Sequence, residues 1–164
     1  MGEAPPAGQA DPLLEEVERN QYLQRRRDIY IYEAQALTLA ASGTTTDTIQ
    51  IEADSSFILQ KLTHHTQAPA ATALAASALG LVASQVIVPP VAIVITDTGS
   101  GRQLMPGPIP IPSLFGVGGL PFILPNPRLF MRNSTIQIAF TNLDATNAYS
   151  VRLAFIGYKV YATS

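Results

Sequence analysis

Two stretches near the C-terminus limit what this chain can fold into, because in both the apolar residues recur at every second position. In STIQIAFTNL, Ser134 to Leu143, the side chains of Ile136, Ile138 and Phe140 fall on one side and those of Thr135, Gln137 and Thr141 on the other. After the turn-rich NLDATNA, Val151, Leu153 and Phe155 alternate with Ser150 and Arg152. A period of two belongs to a strand with one buried face, and a helix cannot keep it. The expectation is an antiparallel hairpin in the core of an all-β domain.

The rest of the chain supplies further strand material. Ile29 to Ala41 is rich in β-formers, with Tyr30 and Tyr32 on one side and Ile29, Ile31, Leu37 and Leu39 on the other. Glu33 and Gln35 interrupt that second face, which implies a bulge or two short strands. Thr48 to Ala53 alternates with Ile49 and Ile51 inward, and Ser56 to Thr63 follows a turn at Asp54 and Ser55. VIVPPVAIVITD places strand residues on both sides of Pro89-Pro90, which confine that position to a bend or an edge. Gly157 marks a bulge or a close backbone approach. Seven to nine short strands separated by Gly, Pro, Asn and Thr turns predict an antiparallel β-sandwich of jelly-roll type.

Three segments stand apart from this pattern. Residues 1–27 read as a Pro/Gly/Ala arm followed by a short helix. Asp11 is its N-cap and Pro12 its first position; three Glu lie early and three Arg late, matching the helix dipole. Residues 28–164 form the sandwich domain, with a small-residue insertion near 67–85 and a proline-rich loop near 105–127. In the loop, MPGPIPIP has Pro at every second position, which predicts an extended run with Ile109 and Ile111 standing out as apolar teeth.

Charged residues make up only 13% of the chain, against 47% apolar, where an ordinary soluble domain carries roughly 25% charged residues. Such a surface is expected to be covered in part by other chains. The formal net charge of −2 argues against nucleic acid as the principal partner, since phosphate binding needs concentrated Lys and Arg. With no cysteine there is no thiolate chemistry or Cys-based zinc site, and no cofactor is implied. The N-terminal residues lack the pattern of a secretory signal. The uncharged interval from Leu62 to Thr96 is too rich in Ala, Ser and Thr, and too interrupted by Gln85 and the two prolines, for a membrane span.

Several motifs have a chemical and a plain reading. VITDTGS, Val94 to Ser100, resembles the Asp-Thr-Gly-Ser of aspartic proteases, in which two Asp share a proton. However, Thr96 stands where that family has an apolar residue, and a strand-to-strand turn needing positive φ has the same composition. The turn is preferred, and no catalytic residue is assigned. His64-His65 would point to opposite faces of a strand, so a metal site is not expected. Asn133-Ser134-Thr135 matches a glycosylation acceptor but reads as a polar turn into a strand. Acidic residues gather in the first 54 positions and basic ones in the second half, an asymmetry suited to head-to-tail contact between copies.

With its Pro/Gly arm, short charged helix, low charge, LPNPRLFMRNSTIQIAFTNL and VRLAFIGYKVY, the chain resembles small virion structural proteins of tailed bacteriophages. These are capsid decoration or cement proteins and neck or collar components. The resemblance covers roughly Ile29 to Tyr161 in character and the last forty or so residues in pattern. It implies a non-enzymatic virion part present in many copies, with other copies and the major capsid, portal or neck proteins as partners. Interface candidates are Leu13, Val17, Arg25, Arg26, Arg27, Ile109, Ile111, Leu114, Phe115 and Phe122. A fibre-associated receptor- or glycan-binding sandwich is the alternative, and a dimeric protease using Asp97 a more distant one.

Overall fold

The computed structural model describes residues 27–67 and 89–161. The expected arm and helix, the interface candidates Leu13, Val17, Arg25 and Arg26, and most of the small-residue insertion lie outside them.

The described chain is all-β apart from one helical turn. Its strands, in order, are β1 (Arg27–Leu39), β2 (Thr44–Gln50), β3 (Ser55–Gln67), β4 (Val91–Asp97), β5 (Arg102–Gln103), β6 (Ile109–Pro110), β7 (Phe122–Phe130), β8 (Thr135–Asn142) and β9 (Tyr149–Tyr161). The turn α1 (Ile111–Leu114) lies between β6 and β7. One antiparallel sheet has the order β1-β9-β3-β7, and the other runs β2-β8-β4-β5 with β6 also on β4. The ladders are nested: first with last (β1 with β9), second with second-last (β2 with β8), then β3 with β7, then β4 with β5 and β6.

The inner faces of both sheets feed one apolar cluster. Phe57 and Leu59 of β3, Val151, Leu153 and Phe155 of β9, Ile93 and Ile95 of β4, and Ile136, Ile138 and Phe140 of β8 all belong to it. Burying a side chain of this size is worth about 1.5–3 kcal/mol, so the alternation in sequence translates directly into sheet position.

The expected hairpin is corrected here. β8 and β9 do not pair; they lie in different sheets. Their inward residues were read correctly, but alternation reports which face is buried and not which strand lies alongside. The connection between them is built to cross. The buried Asn142 side-chain amide donates to the carbonyls of Ala40 (2.9 Å) and Asn147 (2.8 Å). Asp144 accepts from the backbone N–H groups of Thr146 and Asn147 and from the Tyr149 hydroxyl.

β1 is likewise one strand of 13 residues, with its faces opposite to expectation. Tyr32, Ala34 and Ala36 point inward, while Ile29 and Ile31 are exposed. A register irregularity between Ala36 and Leu39 returns Leu39 to the core. The proline-rich run is extended at Ile109 and Pro110 as expected, but these residues pair with Ile93 and Ala92 and the run then turns into α1, with Pro112 in its first turn, where no N–H is needed. Phe122 to Phe130 is itself a strand, and its Pro125 and Pro127 are tolerated because β7 is an edge.

Gly157 has the close approach expected of it. A Cβ there would stand 2.0 Å from the Ile58 carbonyl oxygen and 3.0 Å from Leu59 Cα, beside the irregularity between Leu59 and Lys61 of β3. Gly157→Ala must therefore push β3 and β9 apart. It is expected to lower stability by about 1–3 kcal/mol in urea unfolding; an unchanged midpoint contradicts this close contact.

Candidate functional site

The proline-loop candidates for contact with a neighbour divide on burial. Ile111 and Phe115 are 0% and 2% exposed. Ile111, expected as an apolar tooth, and Phe115, an interface candidate, are corrected to core residues, and Phe115 packs edge-on against Phe155 with ring centroids 5.6 Å apart. Ile109 and Leu114 are half-buried against the same core. Phe122, opposite Leu62 on the edge strand, and Arg27, the first residue of β1, remain exposed.

Among the described residues, exposed apolar side chains gather instead on the outer face of the four-stranded sheet, in two rows. Across one, Ile29 pairs with Tyr158, Tyr158 with Ile58, and Ile58 with Leu129. Across the next, Ile31 pairs with Ile156, Ile156 with Lys61, and Lys61 with Ile123. Ile29 is 73% exposed, Ile123 63%, Ile31 56% and Leu129 51%. This face was not legible as a surface because Ile29 and Ile31 were assigned to the inside. The inward Tyr32, on the opposite parity, is the signal that could have corrected the assignment.

One end of the core carries a polar cluster that the sequence analysis missed. Lys159, on the inward parity of β9 and 6% exposed, places Nζ 2.9 Å from Glu52 Oε2 and 3.7 Å from the centroid of the Tyr30 ring. The Tyr32 hydroxyl donates to the same carboxylate oxygen. Burial alone would push the Glu52 carboxyl up, but the hydrogen bonds from Tyr32 and Lys159 outweigh it and hold it below the usual range. Burial likewise works against the Lys159 ammonium, which Glu52 nevertheless holds above its ordinary range. Burial and the bond to Glu52 raise the Tyr32 phenol. The arrangement keeps a cation inside an aromatic cage and gives it no open position for a reacting group.

Asp97 serves the turn between β4 and β5. Its Oδ1 accepts from the backbone N–H of Gly99 (3.0 Å) and Ser100 (3.4 Å), and its Oδ2 from the Ser100 hydroxyl (2.8 Å) and Arg128 Nη2 (3.4 Å). Gly101 takes φ +64° in the same turn, a conformation that favours glycine. Asn133, in the glycosylation-like triplet, has φ 61° in the turn entering β8.

His64 and His65 point to opposite sides, as expected. The His64 ring lies inside, with Nδ1 3.1 Å from the Phe115 carbonyl oxygen and 3.0 Å from that of Gly116. Nδ1 therefore carries the proton and fastens the segment after α1 to β3. Burial pushes this imidazole below its usual range, and the two carbonyls offset that only in part. Among the described residues no group of three or more His, Cys, Asp and Glu could hold a metal ion.

A cleft of about 340 Å³ opens between the sheets beside the edge strand. Leu59, Leu62, Ile95 and Leu124 form its apolar lining, and Arg102, Gln103, Asn126 and Arg128 add polar groups. Comparison of the chain with protein-family models, with curated proteins and with solved structures gave no match.

Glu52→Gln, which keeps the shape and removes the charge, is expected to lower stability by about 1–2 kcal/mol near neutral pH, an amount limited by the 42% exposure of the Glu52 side chain. With its folded-state pKa depressed, Glu52 contributes stability above the ordinary glutamate range and loses it as pH falls through the folded value. Acid unfolding of the variant should accordingly be less steep; an unchanged acid limb contradicts the cluster. The His64 ring should titrate below the ordinary imidazole range by NMR. As pH falls from about 6.5 the unfolded chain takes up that proton first, and stability declines. A titration at or above the ordinary value would overturn the buried Nδ1–H assignment.

Proposed function

We propose that this chain is a non-enzymatic virion structural protein, a β-sandwich of jelly-roll type that stabilises a particle through repeated contacts with its neighbours. As a capsid decoration or cement protein, or a neck component, it meets other copies and the major capsid, portal or neck proteins. The observation that carries this reading is the nested strand pairing. A hairpin of four successive ladders, wound so that β9 reaches β3 and β8 reaches β4, supports a double-sheet jelly roll, an architecture used by viral capsid and lectin domains.

Two further features support assembly. The chain has little charge with which to cover itself, and the outer face of one sheet presents Ile29, Ile31, Ile123 and Leu129 to solvent. Exposed apolar surface of this continuity is a mark of interaction sites. At about 25 cal/mol per Å² of apolar area, contacts that are modest singly become strong when one particle repeats them many times.

The second reading, a fibre-associated receptor- or glycan-binding sandwich, draws on the cleft beside Arg102, Asn126 and Arg128. A glycan bound there should be lost on Asn126→Ala with the fold unchanged.

The experiment for the structural role is particle stability. Particles whose protein lacks residues 1–27 are expected to lose it from their surface, or to come apart at lower temperature or on dilution. Full occupancy with unchanged heat resistance would contradict the role of this segment.

A further inference from the structure

We infer that the outer face of the β1-β9-β3-β7 sheet is the dock for residues Asp11 to Glu18 of a second copy of this chain. This deepens the assembly reading above and rests on it: it names the partner, the segment and the surface. Four strands about 4.8 Å apart make a platform roughly 14 Å wide. On it Lys61 is an isolated cation, flanked in register by Ile156 on one side and Ile123 on the other. No carboxylate among the described residues forms an ion pair with it. An occupant of such a surface needs apolar side chains for the two rows and a carboxylate for Lys61.

A second copy of the same sheet does not meet that need, because among the described residues the carboxylate on this face, Glu33, is already paired with Arg152 at 3.0 Å and leaves Lys61 no free partner. DPLLEEVE, Asp11 to Glu18, does meet it: Leu13, Leu14 and Val17 are interleaved with Glu15, Glu16 and Glu18. The segment is tethered at the right place, since it precedes β1 by few residues and β1 contributes Ile29 and Ile31 to the face. Acidic residues gather in the first 54 positions and basic ones in the second half, a distribution suited to head-to-tail contact between copies, so the segment is assigned to a neighbour's sheet. The resulting contact is heterologous, so that each copy both gives a segment and receives one, and such contacts propagate into a ring or shell.

The test uses the full chain. Ordinary and ¹⁵N-labelled copies are mixed and treated with a carbodiimide, which joins a carboxylate to a lysine amine without a spacer, and the peptides are analysed by mass spectrometry. Peptides linking Lys61 to Glu15, Glu16 or Glu18 are expected with the two isotopes combined. In sedimentation, Ile31→Lys and Val17→Glu should each weaken self-association by about tenfold or more. Lys61→Glu should also weaken it, and adding Glu15→Lys, Glu16→Lys and Glu18→Lys should restore it. Thr45→Lys, on the exposed part of β2, is the control and should have no effect. All these variants should keep the circular dichroism of the parent, since the sheet positions changed are exposed or half-exposed. Links confined to single-isotope peptides mean that the segment docks on its own sheet and overturn the inference. Self-association without Lys61 links, or unaffected by Ile31→Lys, overturns it too and leaves the assembly reading standing. A chain that is monomeric at every concentration and does not bind particles removes both.

Discussion

Everything in this fold depends on two apolar faces meeting across a single core. Ile136, Ile138 and Phe140 on one sheet and Val151, Leu153 and Phe155 on the other belong to the same buried cluster, although the strands bearing them are joined by a short connection. Had those strands paired edge to edge, both apolar rows would lie on one side of one sheet and still need a second layer. Sending them to opposite sheets satisfies both at once. Asn142 and Asp144 make the crossing possible by supplying side-chain partners to backbone groups that leave the ladders there.

That division explains what could be read from the sequence. Inward positions on β2, β8 and β9 follow from alternation alone, because a period of two is a direct record of burial on one face. Pairing is not recorded in the same way, so β8 and β9 looked like a hairpin. β1 misled for a different reason. Its inward residues include two alanines, small enough to fit beneath the facing sheet, while its larger aliphatic residues lie outside. A rule that sends the bigger side chains inward fails where the outer surface is itself apolar. The proline run misled because alternate prolines predict a free-standing extended run, when an edge position and a first helical turn both accept Pro. The sequence analysis gives Lys159 no role. Its parity with Leu153, Phe155 and Gly157 pointed inward, and only the three-dimensional meeting with Glu52, Tyr30 and Tyr32 makes its burial tolerable.

The same misreading of β1 concealed the most suggestive surface. With Ile29 and Ile31 inside, the chain has an unremarkable exterior and its low charge needs another explanation. With them outside, low charge and apolar surface become one property of one sheet. Lys61, set among the isoleucines, is the basis for the proposed acidic and apolar visitor. The two edges of the four-stranded sheet are managed separately: β7 carries prolines, which blunt it against further pairing, so contact through the face is favoured over contact through that edge.

The central claim is that this sheet is completed by a neighbour, and a density map of the intact assembly at side-chain resolution tests it most directly. The account predicts chain density from an adjacent copy lying over Ile31, Ile156, Lys61 and Ile123. A map in which those side chains face open solvent in every copy would contradict it.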